Sequence, residues 1–286
     1  MDNTVNNILI TGGNGFLAKE LTLYFSNNSE INLISTNRST LDIANAQQVN
    51  DFFNLNNIDI VIHTAVKGGK RNQQENIDDF FSNISMFNNL LNCSNKYKML
   101  FNFGSGAEFD RFFNISLAKE ESIFNHRPID YYGLSKNFIS RKISELDSRY
   151  FNLRLFGCFG HFEEPQRLIR ASFDNIQNGK PIAINQDKFM DYFYAQDVGK
   201  VIEHIIQSNK DVIPRDINLC YEKKYKLTDI SNMILDLTGN EESVIIKKET
   251  LGKPYTGCGK KLKGLNIDLL GIHKGIEICL KNWKKS

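Results

Sequence analysis

Apolar and polar positions follow one repeating order along the first half of the chain: a short apolar run, a turn, then helical spacing. Val5–Ile10 is an apolar run bounded by Asn and Gly. Beyond Thr11-Gly12-Gly13-Asn14-Gly15, the residues Phe16, Leu17, Leu21 and Leu23-Tyr24-Phe25 recur at roughly helical intervals. The same pattern predicts strands at Ile31–Ser35, Ile58–His63 and Met99–Phe103, with helices at Ala46–Phe53 and about Ile77–Cys93. The apolar stretch Ile58–Ile62, interrupted only by Asp59, marks a strand buried on both faces. Strands alternating with helices in this way indicate βαβ units, and hence an α/β fold around a Rossmann-type, doubly wound parallel sheet.

After residue 105 the texture becomes irregular until a helix at about Tyr132–Ser148. A strand at Tyr150–Phe156 runs into a glycine-punctuated loop, Gly157-Cys158-Phe159-Gly160. Helices are then expected at Arg167–Asn178, Ala195–Ser208 and Leu227–Thr238, with strands at Ile182–Asn185, Asp191–Tyr194 and Ser243–Lys248 and a basic tail. The Lys223-Lys224-Tyr225-Lys226, Lys260-Lys261 and Lys284-Lys285 runs read as solvated surface, and Trp283 as an anchor for the tail.

Composition narrows the function. The 286 residues suffice for one large or two modest domains. A net charge of +2 is too balanced for a nucleic-acid binder that works by neutralising phosphates. The five cysteines are widely spaced and form no CxxC pair, which argues against a metal site and against a disulfide framework. Neither a signal peptide nor an apolar stretch of about 18 residues is present, so a cytoplasmic protein without a membrane segment is expected.

Gly12-Gly13-Asn14-Gly15-Phe16-Leu17-Ala18 fits G-x-x-G-x-x-[G/A] at the first strand-to-helix junction. Glycine permits the tight turn and a close approach to a pyrophosphate, which the free amides at a helix N-terminus then hold. Gly12, Asn14, Gly15, Phe16 and Leu17 are therefore candidate dinucleotide contacts, and Ala65 after the Ile58–His63 strand is another. No acid closes the second strand. Arg38 stands there instead, suited to a ribose 2′-phosphate, so NADPH is favoured over NAD; Asp42 is placed beside the adenine.

Tyr132-Gly133-Leu134-Ser135-Lys136 puts a phenol and an ammonium on one helix face. The ammonium should lower the phenol's pKa and suit it to general acid–base work on a carbonyl/alcohol pair. Ser105, at the carboxyl end of a sheet strand, can hydrogen-bond the substrate carbonyl oxygen.

With these motifs the whole chain resembles the extended short-chain dehydrogenase/reductases, the NAD-dependent epimerase/dehydratase family. It is nearest in pattern to GDP-L-fucose synthase-like nucleotide-sugar 4-keto reductases. Ala65-Val66-Lys67-Gly68-Gly69, Phe103-Gly104-Ser105-Gly106-Ala107 and Asp191-Tyr192-Phe193-Tyr194-Ala195-Gln196-Asp197-Val198 carry the resemblance beyond the general motifs. It implies a dinucleotide-binding domain over residues 1–156, rejoined at about 189–220, and a smaller α/β lobe over 157–286 for the nucleotide-diphosphate sugar. It also implies Tyr132 as proton donor, Lys136 as its modulator and a ribose ligand, Ser105 as carbonyl anchor and Phe159 as a cofactor contact. A homodimer and a place in surface-polysaccharide sugar biosynthesis follow in the same way.

Departures from the family pattern refine the expectation. Bifunctional fucose synthases use a cysteine two residues after the serine, where this chain has Ala107, and a histidine that His161 precedes by one place. Dehydratases carry an Asp-Glu pair where Gly106-Ala107 stands, and Glu108 comes one place too late and should point elsewhere. Reduction at carbon 4 without epimerisation at carbons 3 and 5 is the expected reaction. Lys67, Ser105, Gly106, Ala107, His161 and Arg170 are the substrate candidates, Arg170 replacing an arginine that the family places where Met190 stands. Two alternatives remain: a 4-epimerase with tightly bound NAD, and a non-catalytic dinucleotide sensor. The base, hexose or heptose, and carbon-4 stereochemistry depend on the loops at 67–75, 106–115 and 157–165.

Overall fold

A computed structural model describes residues 6–69, 74–241 and 243–284. Val5, part of the 67–75 loop and Lys285 lie outside them. In chain order the elements are β1 (Asn6–Thr11), α1 (Phe16–Phe25), β2 (Ile31–Thr36), α2 (Ala46–Leu55), β3 (Ile60–His63), α3 (Ile77–Asn92), β4 (Met99–Ser105) and β5 (Ile115–Ala118). There follow α4 (Tyr131–Glu145), β6 (Tyr150–Leu155), β7 (Cys158–Phe159), α5 (Leu168–Gln177), β8 (Ile182–Gln186), β9 (Phe193–Tyr194), α6 (Ala195–Gln207) and β10 (Asp216–Leu219). Last come α7 (Leu227–Thr238), β11 (Val244–Lys248), β12 (Tyr255–Gly257), α8 (Lys260–Gly264) and α9 (Gly271–Trp283).

Six strands form the central sheet in the order β10-β6-β4-β3-β1-β2, all parallel. The order reverses between β1 and β3, which places a crevice at the carboxyl ends of these strands. One face of the sheet packs on α1 and α6. Ile8, Ile10, Phe101 and Phe151 meet Leu21, Val198 and Ile202 there, all fully buried. The α1–α6 contact is close enough that a Cβ on Gly199 would lie 2.4 Å from the Tyr24 ring. The other face packs on α2, α3 and α4 through Leu9, Val61, Leu100, Phe87, Leu90 and Ile139. A separate cluster joins α5, α7 and α9 to β8, with Trp283 buried in it. The tail is a packed helix anchored by Trp283, with Lys284 exposed at its end. β10, β5 and β12 are also additions to the expected strands.

Beneath Ser105 the sheet carries a buried charge. Arg154 of β6 is fully buried, 2.7 Å from Glu108 and 3.0 Å from Asp216 of β10. Its remaining donors reach Asn218 Oδ1 at 3.0 Å and Ser140 Oγ at 2.9 Å. Burial alone would lower the Arg154 pKa, but the two carboxylates outweigh it and hold the guanidinium charged. Breaking such a pair strands an anion in a dry site, at roughly 3–5 kcal/mol. Arg154→Leu should therefore lower the urea unfolding free energy by about that much. A loss below about 1 kcal/mol would show that the sheet does not depend on this pairing.

Candidate active site

The turn after β1 is shaped by its glycines. Gly12 has φ +74°, and a Cβ there would sit 2.7 Å from the Cα of Ala65 at the end of β3. The Gly13 amide donates to the Thr36 carbonyl at 2.7 Å and the Gly15 amide to the Gly12 carbonyl at 2.8 Å. Thr11 Oγ1 lies 3.0 Å from His63 Nδ1, and Thr64 Oγ1 donates to the Thr11 carbonyl at 2.6 Å. Burial pushes the His63 pKa down to about 3, so this tie between β1 and β3 is made by a neutral imidazole.

α1 then starts at Phe16 with Gly15 as its cap, no side chain closing its amides and no acid in its first turn. Asn14 and Gly15 are exposed and Leu17 half-buried. Free amides facing an open glycine turn fit the pyrophosphate of a dinucleotide. Arg38, with its side chain 78% exposed, lies beside β2 but engages Asp42 at 3.2 Å. Asp42 thus serves as the partner of Arg38, and its backbone amide is bound by Gln48.

Ser105 is the last residue of β4, and α4 brings Tyr132 and Lys136 against it. Asp130 caps α4 by accepting from the Gly133 amide at 2.7 Å. Lys136 is buried and donates to the Phe103 carbonyl at 2.7 Å. Burial lowers its pKa to about 8, opposed by the charge of Glu108. Ser105 beside the Tyr132 phenol favours its ionised form.

The expectation of a lowered phenol pKa is corrected here. Burial raises it, with Ser105 and Arg111 opposing, and the Lys136 ammonium is turned to a backbone carbonyl instead. Glu108 is likewise not aimed away. It folds under Ser105, accepting from the Ser105 amide at 2.8 Å, and is fully buried. Gly106 and Ala107 are both buried, and the Ala107 amide donates to Ser105 Oγ at 3.2 Å. The Ala107 methyl, only 1% exposed, lines the core and not an open substrate surface.

Three groups were not singled out from sequence. Glu75 accepts from the Tyr132 amide at 3.0 Å and the Gly69 amide at 3.3 Å. Arg111 bridges Glu75 at 3.3 Å and Asp130 at 2.5 Å, with its guanidinium 5.7 Å from the Tyr132 ring centre. A cavity of about 370 Å³ lined by Glu75, Arg111, Phe112 and Asp130 opens beside them. Tyr255 of β12 packs against the serine turn, its hydroxyl oxygen 2.8 Å from where a Cβ on Gly106 would sit. Asp130 was detectable as a cap residue directly before a helix. Arg111 and Tyr255 carry no local signal, because their neighbours are distant in sequence.

Other candidates are placed elsewhere. Lys67 is exposed and its Nζ donates to Ser82 Oγ on α3 at 3.1 Å. Phe159 is fully buried, its ring 5.3 Å from that of Tyr194, so its side chain belongs to the core. The His161 ring packs edge-on against Phe162, and its carbonyl accepts from Trp283 Nε1 at 2.8 Å. Arg170 Nε meets the Asp174 carboxylate at 2.9 Å, and its guanidinium lies 4.9 Å above the Trp283 ring, in the packing of α5. No helix among the described residues is long and apolar enough to cross a membrane.

Known structures share this architecture. A GDP-D-glycero-L-gluco-heptose synthase from Campylobacter jejuni, crystallised in the presence of NADPH, superposes with a TM-score of 0.82 at 20% identity over 99% of each chain. A GDP-mannoheptose C4 reductase from the same organism, with NADP bound, gives 0.80 at 20% identity over 99% of each chain. The UDP-glucose 4-epimerase of Thermotoga maritima, with UDP-glucose, gives 0.80 at 19% identity over 98% of this chain and 99% of that one. At such identities the likeness is one of fold. No curated protein matches the sequence significantly. The glycine turn, the Ser105–Tyr132–Lys136 grouping and all of the six-stranded sheet but its first two residues fall within residues 8–220, the span that matches the family model. The chain belongs to the NAD dependent epimerase/dehydratase family.

Proposed function

We propose that the protein is an NADPH-dependent reductase of a nucleotide-diphosphate 4-keto-6-deoxy sugar, a GDP-linked hexose or heptose. The grouping of Ser105, Tyr132 and Lys136 at the carboxyl end of β4 carries this reading. The NADPH- and NADP-containing GDP-heptose enzymes of the same fold support it. When bound, NADPH supplies a hydride for the sugar's carbon 4. Gly12 to Leu17 hold the pyrophosphate and Arg38 the 2′-phosphate. Ser105 donates a hydrogen bond to the carbonyl oxygen, and Tyr132 delivers the proton that oxygen needs as it becomes a hydroxyl. Lys136 holds a positive charge beside that exchange and reaches the ribose. Ala107 has no exchangeable proton, which supports reduction without epimerisation.

One observation favours the 4-epimerase with bound NAD: Arg38 already has Asp42 as a partner, 3.2 Å away. Relative affinity for NADPH and NADH separates the two readings. A homodimer would use the face of α3 and α4 where Phe81 and Phe138 are 58% and 53% exposed. Phe81→Asp with Phe138→Asp should then convert a dimer to a monomer in sedimentation; a wild-type monomer would remove the idea.

The reaction itself is tested by NADPH oxidation on adding GDP-, dTDP- and CDP-linked 4-keto-6-deoxy hexoses and heptoses. Turnover of at least one is expected, and Tyr132→Phe should remove most of it, on the order of 10²-fold or more, while NADPH still binds. No turnover across the panel by folded protein sinks the proposal. The pH dependence follows from Lys136. Burial favours its neutral form, so the ammonium is present below about pH 8 and lost above it. kcat/KM should therefore fall above about pH 8, and Lys136→Arg, which keeps its charge, should move that limb upward. An unmoved limb would assign the ionisation to another group.

A further inference from the structure

The second hydroxyl beside Ser105 comes from the far end of the chain. β12 is three residues long and is held by the segment leading into β9. The Tyr255 amide donates to the Phe189 carbonyl at 2.9 Å, and the Asp191 amide donates to the Tyr255 carbonyl at 3.1 Å. The Asp191 carboxylate, itself paired with Lys224 at 2.9 Å, accepts from the Gly257 amide at 2.8 Å. On its other edge β12 pairs with β5, Tyr255 opposite Ile115. The ring is fixed by an edge-on contact with Phe156 at 5.4 Å and by the Lys188 ammonium 5.7 Å from its centre.

These restraints drive the phenol into the serine turn. A Cβ on Gly106 would sit 2.8 Å from the Tyr255 hydroxyl oxygen and 2.4 Å from Phe156. Glycine at 106 is what lets the phenol approach the residue before it. That contact sets the Tyr255 hydroxyl against the Ser105–Gly106 turn.

A serine hydroxyl has one proton and two lone pairs. The Ala107 amide already donates to Ser105 Oγ at 3.2 Å. We propose that Tyr255 is a positioning residue that donates its hydroxyl proton to the second lone pair of Ser105 and so turns the serine's own proton toward the carbonyl oxygen being reduced. Tyr255 keeps its proton throughout; no bond to it is made or broken. The inference rests on the reductase reading for its kinetic consequence, and on geometry alone for the hydrogen bond. Because Tyr255 is carried by the segment around Asp191 and Gly257, the catalytic serine is set by the C-terminal part of the chain as well as by β4.

The test is a double-mutant cycle combined with a substrate-free spectrum. Tyr255→Phe preserves the ring and its packing. In single-turnover reduction it should lower the rate about tenfold, with NADPH affinity unchanged. In a Ser105→Ala background the same substitution should cost nothing further, since the partner it orients is gone. A merely structural role would multiply the two losses, and that result, or an unchanged rate in Tyr255→Phe, overturns the proposal. In parallel, NMR of protein labelled at the tyrosine ζ carbon, assigned with Tyr132→Phe and Tyr255→Phe, reads the hydrogen bond without substrate. Ser105→Ala should shift the Tyr255 resonance. An unmoved resonance overturns the proposal even if wild-type protein reduces no sugar in the panel. A shifted resonance with no turnover would leave the hydrogen bond standing and refute only the reductase reading.

Discussion

A guanidinium removed from water must have its anions brought to it, and the sheet is assembled around that requirement. Arg154 draws Glu108 from the turn after β4 and Asp216 from β10. Once turned under by Arg154, Glu108 has its other oxygen on the Ser105 amide. The orientation of the serine turn is thus linked to a charge fully buried between strands. The same carboxylate faces Lys136, where it opposes the drop in the lysine's pKa caused by burial. Removing either partner would leave a charge in a medium where it is far less stable than in water.

The three hydroxyl- and amine-bearing residues of the site depend on separate supports. Ser105 rests on Glu108 from below, Tyr132 on the cap of α4 by Asp130 and Glu75, and Lys136 on the Phe103 carbonyl. Arg111 links two of these supports by bridging Glu75 and Asp130. Preorganisation of this kind, in which fixed groups hold the reacting ones, lowers the cost of ordering the site when ligands arrive.

Much of this was legible in the sequence where chemistry and geometry coincide locally. The turn around Gly12 and Gly15 lies between a strand and a helix, and Tyr132 and Lys136 share a helix face by spacing alone. The misses have a common physical origin. β10 alternates Asp216 and Asn218, whose side chains pair with Arg154, with Ile217 and Leu219, so no apolar run announces the strand. The lysines of the tail concealed α9, whose Ile272, Ile276, Cys279 and Trp283 are all buried. Long charged side chains gave the poorest guide. Arg170 is drawn to Asp174, its i+4 neighbour on α5, and Lys67 to Ser82, whose proximity its own position does not encode.

The helix after the glycine turn has one more consequence. α1 ends at its start in amides that no side chain closes. In the absence of a ligand those donors are left to solvent, and the fold forgoes roughly the few tenths of a kcal/mol by which a capping side chain would improve on glycine. A bound anion makes good that loss, so a dinucleotide becomes a contributor to folding as well as a reactant. At a concentration a hundredfold above its dissociation constant it would add about 2.7 kcal/mol to the native state. The resistance of this chain to heat and to proteolysis is then a property of the cell's dinucleotide supply as much as of its own sequence.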